Sequence, residues 1–294
     1  KTASFTLPML RRLEIHANSS MSPAKHPVRA LILVPTRELA VQVYESVRTY
    51  GKYLLLRSAV VYGGVNIDAQ IDAVRSGIEI LVATPGRLLD HLQQKTLILT
   101  KIEILILDEA DRMLDMGFLP DIKQIIQLLP EQRQNLMFSA TFSEEIKKLA
   151  NKILKKPVLI EVAKQNSVSE LISHVMYPVE STRKQELLFF LIKQKELQQV
   201  LVFTRTKQSA DRLAQHLNRQ GISSSAIHGD RNQLQRTQAL NSFKQGLIRV
   251  LVAPDVAARG LDIEELIYVI NFELPNNPED YVHRIGRTGR AGTK

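Results

Sequence analysis

Ile102-Glu103-Ile104-Leu105-Ile106-Leu107-Asp108-Glu109-Ala110-Asp111 is the stretch that decides the fold. Its first six residues are a short, mostly apolar, β-branched run without in/out alternation, the pattern of a strand buried on both faces of a parallel sheet. The run then breaks into acids. In open parallel sheets ligands bind beyond the carboxyl ends of the strands, and adjacent acids there suit a metal–phosphate site. Asp108 could hold Mg2+ through water, and Glu109 could orient or deprotonate an attacking water. The plainer alternative is a turn or a helix cap, but a given tetrapeptide arises by chance in only about one 300-residue chain in several hundred.

Runs of the same kind flank this one: Ala30–Val34, Ala59–Tyr62, Ile80–Ala83 and Leu136–Phe138, then Val200–Phe203, Ala226–Ile227, Val250–Ala253 and Tyr268–Phe272. Helix-length amphipathic segments such as Glu38–Tyr50, Glu144–Leu154 and Ser209–Gln220 lie between them. Alternating strand and helix argues for α/β architecture with right-handed crossovers. Ser143 before Glu144-Glu145, and Asn277 before Pro278-Glu279-Asp280, read as helix starts. His16–Pro27 reads as a surface loop. The polar stretch between the two series divides the chain into domains 1–163 and 174–294, joined by a linker at 164–173.

Unusual residues follow strand after strand. They are Pro35-Thr36-Arg37-Glu38, Gly63-Gly64, Thr84-Pro85-Gly86-Arg87 and Ser139-Ala140-Thr141 in the first half. Thr204-Arg205-Thr206, His228-Gly229 and Asp255–Asp262 follow in the second. Singly, each is ordinary turn chemistry; together they load the carboxyl edges of two sheets. Lys1-Thr2 would be the last two residues of G-x-x-x-x-G-K-[ST], with Lys on the β/γ-phosphates and Thr on Mg2+. His283-Arg284-Ile285-Gly286-Arg287-Thr288-Gly289-Arg290 sets three arginines within seven residues. That spacing is hard to explain as packing and suits spread-out phosphate charge; the alternative is a solvated basic loop.

Lys147, Lys148, Lys152, Lys155 and Lys156 read as one solvated helix face, and Met113 and Met116 as local packing. His91, His174 and His216 lack metal-ligand spacing. Nine Phe, seven Tyr and no Trp disfavour a base-stacking platform. The absence of cysteine excludes disulfides and thiolate metal sites and fits a reducing cytoplasm. No stretch approaches the roughly 18 apolar residues of a membrane span. Over 294 residues the formal charge is +9, spread as +4 over residues 1–163 and +5 over the rest. A spread basic excess favours a polyanionic partner, nucleic acid first, or serves simple solubility.

With these motifs in order, the chain resembles a DEAD-box ATP-dependent RNA helicase. Longer stretches such as Asp111–Gly117 and Gln199–Lys207 make it similar to the bacterial RhlE type. The resemblance implies two tandem RecA-like domains, each a mainly parallel sheet flanked by helices, with ATP and Mg2+ in a cleft and single-stranded RNA across both. It implies phosphate, metal and water handling by Lys1, Thr2, Asp108 and Glu109. Arg287 and Arg290 would be arginine fingers, with Asp262 facing the ribose and His283 helping to join the cleft. Ser139 and Thr141 would couple hydrolysis to strand separation. RNA phosphates would be met by Thr36, Arg37, Gly64, Thr84, Gly86 and Arg87, and by Thr204, Arg205 and Gly229. A cytoplasmic monomer acting on RNA, without membrane attachment, is the expectation.

Two departures stand out. Pro254 replaces the family's threonine before Asp255, which predicts weaker RNA coupling. The 294 residues do not include the glycine-rich half of the phosphate loop, so a non-catalytic RNA-binding fragment is the alternative expectation. A DNA translocase of related architecture is a third reading.

Overall fold

The structure, a computed structural model, describes residues 1–141, 144–160, 172–258, 263, 266–275 and 278–288. The side chains of Val256, Ala258, Pro278, Glu279 and His283 fall outside that description, as do Ser143 and Asn277 and most of the linker stretch 164–173. The chain divides into two compact units, Lys1–Leu159 and Ile160–Lys294.

The first unit runs α1 (Thr2–Leu13), β1 (Ala30–Leu33), α2 (Arg37–Tyr50), β2 (Ser58–Val61), α3 (Asp68–Arg75), β3 (Ile80–Ala83), α4 (Pro85–Gln93) and β4 (Ile104–Leu107). It continues through α5 (Ala110–Asp115), α6 (Leu119–Gln127), β5 (Gln134–Met137) and α7 (Glu144–Ile153). Its strands form one parallel sheet in the order β2-β3-β1-β4-β5. Successive strand residues point to opposite faces. Leu31, Leu33, Leu105 and Leu107 therefore join one core with α4, α6 and α7. Ala30, Ile32, Ile104 and Ile106 join the other with α1 and α2. That is why β1, β3 and β4 are apolar at every position, whereas edge strand β2 alternates between half-buried and buried.

The second unit repeats the scheme with α8 (Lys184–Gln194), β6 (Val200–Thr204), α9 (Lys207–Arg219), β7 (Ser224–Ala226), α10 (Gln233–Lys244), β8 (Val250–Pro254), α11 (Asp255–Ala258), β9 (Tyr268–Asn271) and α12 (Pro278–Ile285). Its parallel sheet is ordered β7-β8-β6-β9. Val200 and Val202 pack with α8 and α9, Leu201 and Phe203 with α10. Corresponding edge strands are closed by the same device. The Gln70 side-chain amide bonds the N–H and C=O of Tyr62 just past β2 (3.2 and 3.1 Å). Asn218 does so for Ser224 in β7 (2.9 and 2.8 Å). Each amide satisfies edge groups that would otherwise invite another strand.

The stretch His16–Pro27 is more than a surface loop. It includes a 3-10 turn at Pro23–Lys25, and it buries His26. The ring's Nδ1 faces the Glu79 carboxylate and its Nε2 faces the Ser20 carbonyl at 2.7 Å. Glu79 also accepts the Arg57 N–H at 2.7 Å, and the Arg57 guanidinium returns to the Ser20 carbonyl at 2.7 Å. The loop is thus fastened to the amino end of the sheet, opposite the loaded edge. Sequence reading missed this because the partners lie far apart in the chain.

Among the described residues no helix is long and apolar enough to cross a membrane. The lysines of α7 and the two that follow it are exposed, and Met113 lies in the core, as expected.

Candidate active site

In the first unit the site is built around the end of β4. Asp108 is fixed by its own N–H, which donates to the Leu33 carbonyl at 3.0 Å, and its carboxylate accepts the Glu109 N–H at 2.9 Å. Burial pushes the Asp108 carboxyl up to about 6, the neighbouring Glu109 charge adds to the rise, and Lys1 opposes it. An acid held so reluctantly in its charged form is a place where a cation is stabilised.

Glu109 departs from the sheet with φ 52° and ψ 52°, left-handed values that cost a non-glycine residue about 1–2 kcal/mol. The Ala110 N–H donating to the Phe138 carbonyl at 2.9 Å holds the bend. Strain of this kind persists where surrounding contacts over-determine the backbone. Nη1 of the buried Arg112 lies 3.4 Å from the Glu109 carboxylate.

Asp111 is the residue for which sequence reading assigned no role. One of its oxygens accepts the Ala140 N–H (3.1 Å), the Thr141 N–H (3.0 Å) and the Thr141 hydroxyl (3.2 Å). The Ser139 hydroxyl closes the turn by donating to the Thr141 carbonyl at 2.7 Å. Ser139-Ala140-Thr141 is therefore strapped to the acidic tetrapeptide through its fourth member. The signal was present, since a buried acid one helical position after Ala110 needs donors, but their address was not.

Lys1 and Thr2 start α1. Thr36 caps α2, its hydroxyl accepting the Leu39 N–H at 3.4 Å. The guanidinium of Arg37 lies against Gly64, where an added Cβ would come within 1.8 Å of it. Gly64 also has φ +81°, so the backbone conformation favours glycine, while a Cβ there would push the Arg37 guanidinium aside. Arg87 reaches the same loop, donating to the Val65 carbonyl at 3.0 Å. Thr84 precedes α4 and is buried, while the Gly86 backbone has open space around it.

Gly64→Ala is expected to destabilise the protein by about 1–3 kcal/mol through left-handed strain and displacement of Arg37. Gly86→Ala, whose Cβ meets nothing within 4 Å, should be neutral or slightly stabilising. Thermal denaturation of the pair checks this, and equal shifts would remove the argument.

In the second unit Thr204 is fully buried and donates to the Thr206 carbonyl at 3.3 Å, so in this structure it shapes the turn. Thr206 caps α9 by accepting the Ser209 N–H at 3.0 Å, as Thr36 does for α2. Arg205 is exposed, and its N–H is held by the Glu273 carboxylate. Gly229 sits beside the stem of Lys207, which pairs with Asp230. His228 is buried with Nε2 3.0 Å from Asp211, which also accepts from Arg231 at 2.6 Å. Burial works to raise the Asp211 carboxyl, but hydrogen bonds and charge from His228 and Arg231 together hold it below its ordinary value.

The arginine-rich segment requires a correction. Arg284 is packing after all: it is buried, its Nε and Nη2 donate to the two oxygens of Asp255, and its plane lies over Phe203, 4.9 Å from the ring centre. Arg287 is half-buried one turn on. Asp262, Arg290 and the His283 side chain lie outside the described residues. Two of the histidines that lack metal-ligand spacing have ordinary roles: Nδ1 of His91 bonds Thr96 at 2.7 Å and that of His174 bonds Tyr281 at 2.8 Å.

Comparison with known proteins bears on this geometry. The model of the DEAD/DEAH box helicase family matches residues 1–149, and that of the helicase conserved C-terminal domain matches residues 183–292. The chain is 43% identical over 294 residues to the DEAD-box ATP-dependent RNA helicase CshA of Bacillus cereus, covering 100% of this chain and 54% of that protein. It is 42% identical to the DEAD-box ATP-dependent RNA helicase RhpA of Helicobacter pylori, covering 100% and 58%. It therefore spans a little over half the length of these curated relatives. S. cerevisiae Dbp5 bound to RNA and ADP BeF3 superposes with a TM-score of 0.85 at 31% identity, covering all of this chain and 74% of that one. Both α/β units are thus RecA-like domains of that type. With the acidic tetrapeptide strapped to Ser139–Thr141, and both family models matched in order, the chain belongs to the DEAD/DEAH box helicases.

Proposed function

We propose that this chain is the motor core of an ATP-dependent RNA helicase, which hydrolyses ATP in response to RNA and locally opens or remodels RNA duplexes. The observation that carries the reading is the end of β4, where buried Asp108 and strained Glu109 are linked through Asp111 to Ser139-Ala140-Thr141. The relatives' names and the RNA and nucleotide in the Dbp5 structure support it.

The donor set fits a nucleotide with Mg2+. This hard cation takes one or two carboxylates together with substrate phosphates, and the Asp108 carboxylate, whose charged form burial and Glu109 disfavour, would be stabilised by one. Asp108 and Thr2 would hold the metal, partly through water. Lys1 would hold phosphates together with Arg287 and Arg290, with Asp262 and His283 completing the nucleotide's surroundings. When bound, Mg·ATP supplies the phosphoanhydride to be cleaved.

Glu109 orients the attacking water and takes its proton at a carboxylate oxygen. Lys1 and the two arginines place fixed positive charge where phosphoryl charge spreads. Ser139 and Thr141 sense the acids through Asp111 and transmit the nucleotide state toward the RNA. RNA phosphates meet the Thr36, Arg37, Gly64, Thr84, Gly86 and Arg87 loops and those of Thr204, Arg205 and Gly229. Arg37 and Arg87 both brace the Gly64 loop, and Thr204 shapes the turn that presents Arg205.

The functional domains are placed at 1–163 and 174–294 with a linker at 164–173. The protein is placed in the RhlE type on Asp111–Gly117 and Gln199–Lys207, and acts as a cytoplasmic monomer, in keeping with a chain free of cysteine.

The test measures ATP hydrolysis by the full-length protein with and without RNA, alongside unwinding of matched RNA and DNA duplexes. RNA-stimulated turnover with preference for RNA duplexes is expected. RNA affinity that falls steeply with salt and ignores ATP would favour a non-catalytic RNA-binding module. Preference for DNA would sink the RNA assignment.

A further inference from the structure

One buried guanidinium joins two loops at the carboxyl edge of the second sheet, and Glu273 joins a third to them. Arg284 is 2% exposed. Its fork grips Asp255, where β8 passes into α11; Nη1 donates to the Asn271 side chain at 2.9 Å and to the Glu273 carbonyl just after β9. Glu273 carries the link onward. Its N–H donates to the Phe203 carbonyl at 3.2 Å, and its carboxylate accepts the N–H of Arg205. At the other end, the Arg287 N–H donates to the Arg284 carbonyl at 3.3 Å. An unbroken chain of hydrogen bonds therefore runs from the Thr204–Thr206 turn through Glu273 and Arg284 to Arg287.

A buried charge with this many directional partners has one low-energy arrangement. Moving any one loop costs the bonds of the others. The planar five-donor fork matters: a lysine would fill similar space but present a single point of charge to at most one loop well.

We propose that Arg284 and Glu273 are positioning residues that make the RNA contact at Arg205 and the phosphate contact at Arg287 one mechanical unit. RNA seated on Arg205 then fixes the orientation of Arg287, and nucleotide seated at Arg287 fixes the Arg205 turn. The two ligands tighten one another by equal factors, as linkage requires. The inference rests on the RNA and ATP reading given above.

The experiment uses the full-length protein and the variants Glu273→Ala and Arg284→Lys. Affinity for a single-stranded RNA oligonucleotide is measured by fluorescence anisotropy with and without a non-hydrolysable ATP analogue, and melting temperature is recorded. Glu273→Ala removes the carboxylate that holds Arg205 but leaves every bond of Arg284 in place. It is expected to shrink the tightening of RNA by the analogue by about fivefold or more, within the usual range of coupling. Affinity for the analogue without RNA should stay within about twofold, a separation that general destabilisation would not give. Arg284→Lys should shrink the coupling further. If it does not fold, Glu273→Ala decides alone. A folded Glu273→Ala protein with the parent's coupling overturns the proposal. A parent in which RNA and analogue ignore one another overturns the functional reading beneath it, and the parent control reveals that before any variant is compared.

Discussion

Replacing Glu109 with glutamine is expected to slow ATP turnover by about 100-fold or more, within the range for loss of a general base, while ATP-dependent RNA binding survives. Glutamine matches glutamate in shape, can still accept a hydrogen bond from Arg112, and suffers no greater strain at φ 52°. It cannot accept a proton from water. The Asp108 carboxyl, whose ionised form the Glu109 charge disfavours, loses that repulsion, so metal and nucleotide retention should not suffer. The loss should therefore appear in kcat, with KM for ATP nearly unchanged. Single-turnover hydrolysis and RNA anisotropy with ATP on the same preparation make the comparison. Turnover at the parent rate would remove Glu109 from the role given to it.

The second large effect is expected far from the chemistry. Glu79→Ala should destabilise the first unit by about 2–6 kcal/mol, since it leaves two buried hydrogen-bonding groups unsatisfied at about 1–3 kcal/mol each. Both side chains of the His26–Glu79 pair are fully buried, and Glu79 also satisfies the Arg57 N–H. Truncation strands a ring nitrogen and a backbone donor together, without water. Replacing both His26 and Glu79 with leucine should cost much less, because nothing polar is then left unpaired except the Arg57 N–H. Denaturant unfolding of the parent, the single variant and the double variant tests this. A loss below about 1 kcal/mol in the single variant would mean that the pair does not fasten the 16–27 loop. ATP turnover by the folded fraction should be retained, since Glu79 sits at the amino end of the sheet and Asp108 at its carboxyl end.

How much of this was written in the chain depends on the kind of contact involved. Strands β1, β3, β4, β6 and β8 were legible because burial on both faces removes alternation and leaves a solid apolar run. Edge strand β2 was legible only roughly, since one side of it faces half-buried surroundings. The candidate site was legible as residue types, because each strand delivers its polar successors to the same edge. Asp108, Glu109, Thr36 and Thr206 stand where those rules put them.

Arg284 shows the limit. In sequence it is one of three arginines in a glycine-rich segment and reads like its neighbours. In space it is a core residue whose carboxylate partner lies 29 positions away. Asp111 and the Ala140–Thr141 backbone are 29 and 30 apart, and His26 and Glu79 are 53 apart.

By itself, then, the sequence determined the class of fold, the strand ends and the chemical types gathered at them. These follow from local hydrophobic pattern and from the fixed direction of a parallel strand. Only the tertiary structure decided the strand orders β2-β3-β1-β4-β5 and β7-β8-β6-β9, and which polar groups turn inward. A buried polar group is stable only with a partner, and its partner is chosen by how distant segments pack, a choice that no local pattern encodes.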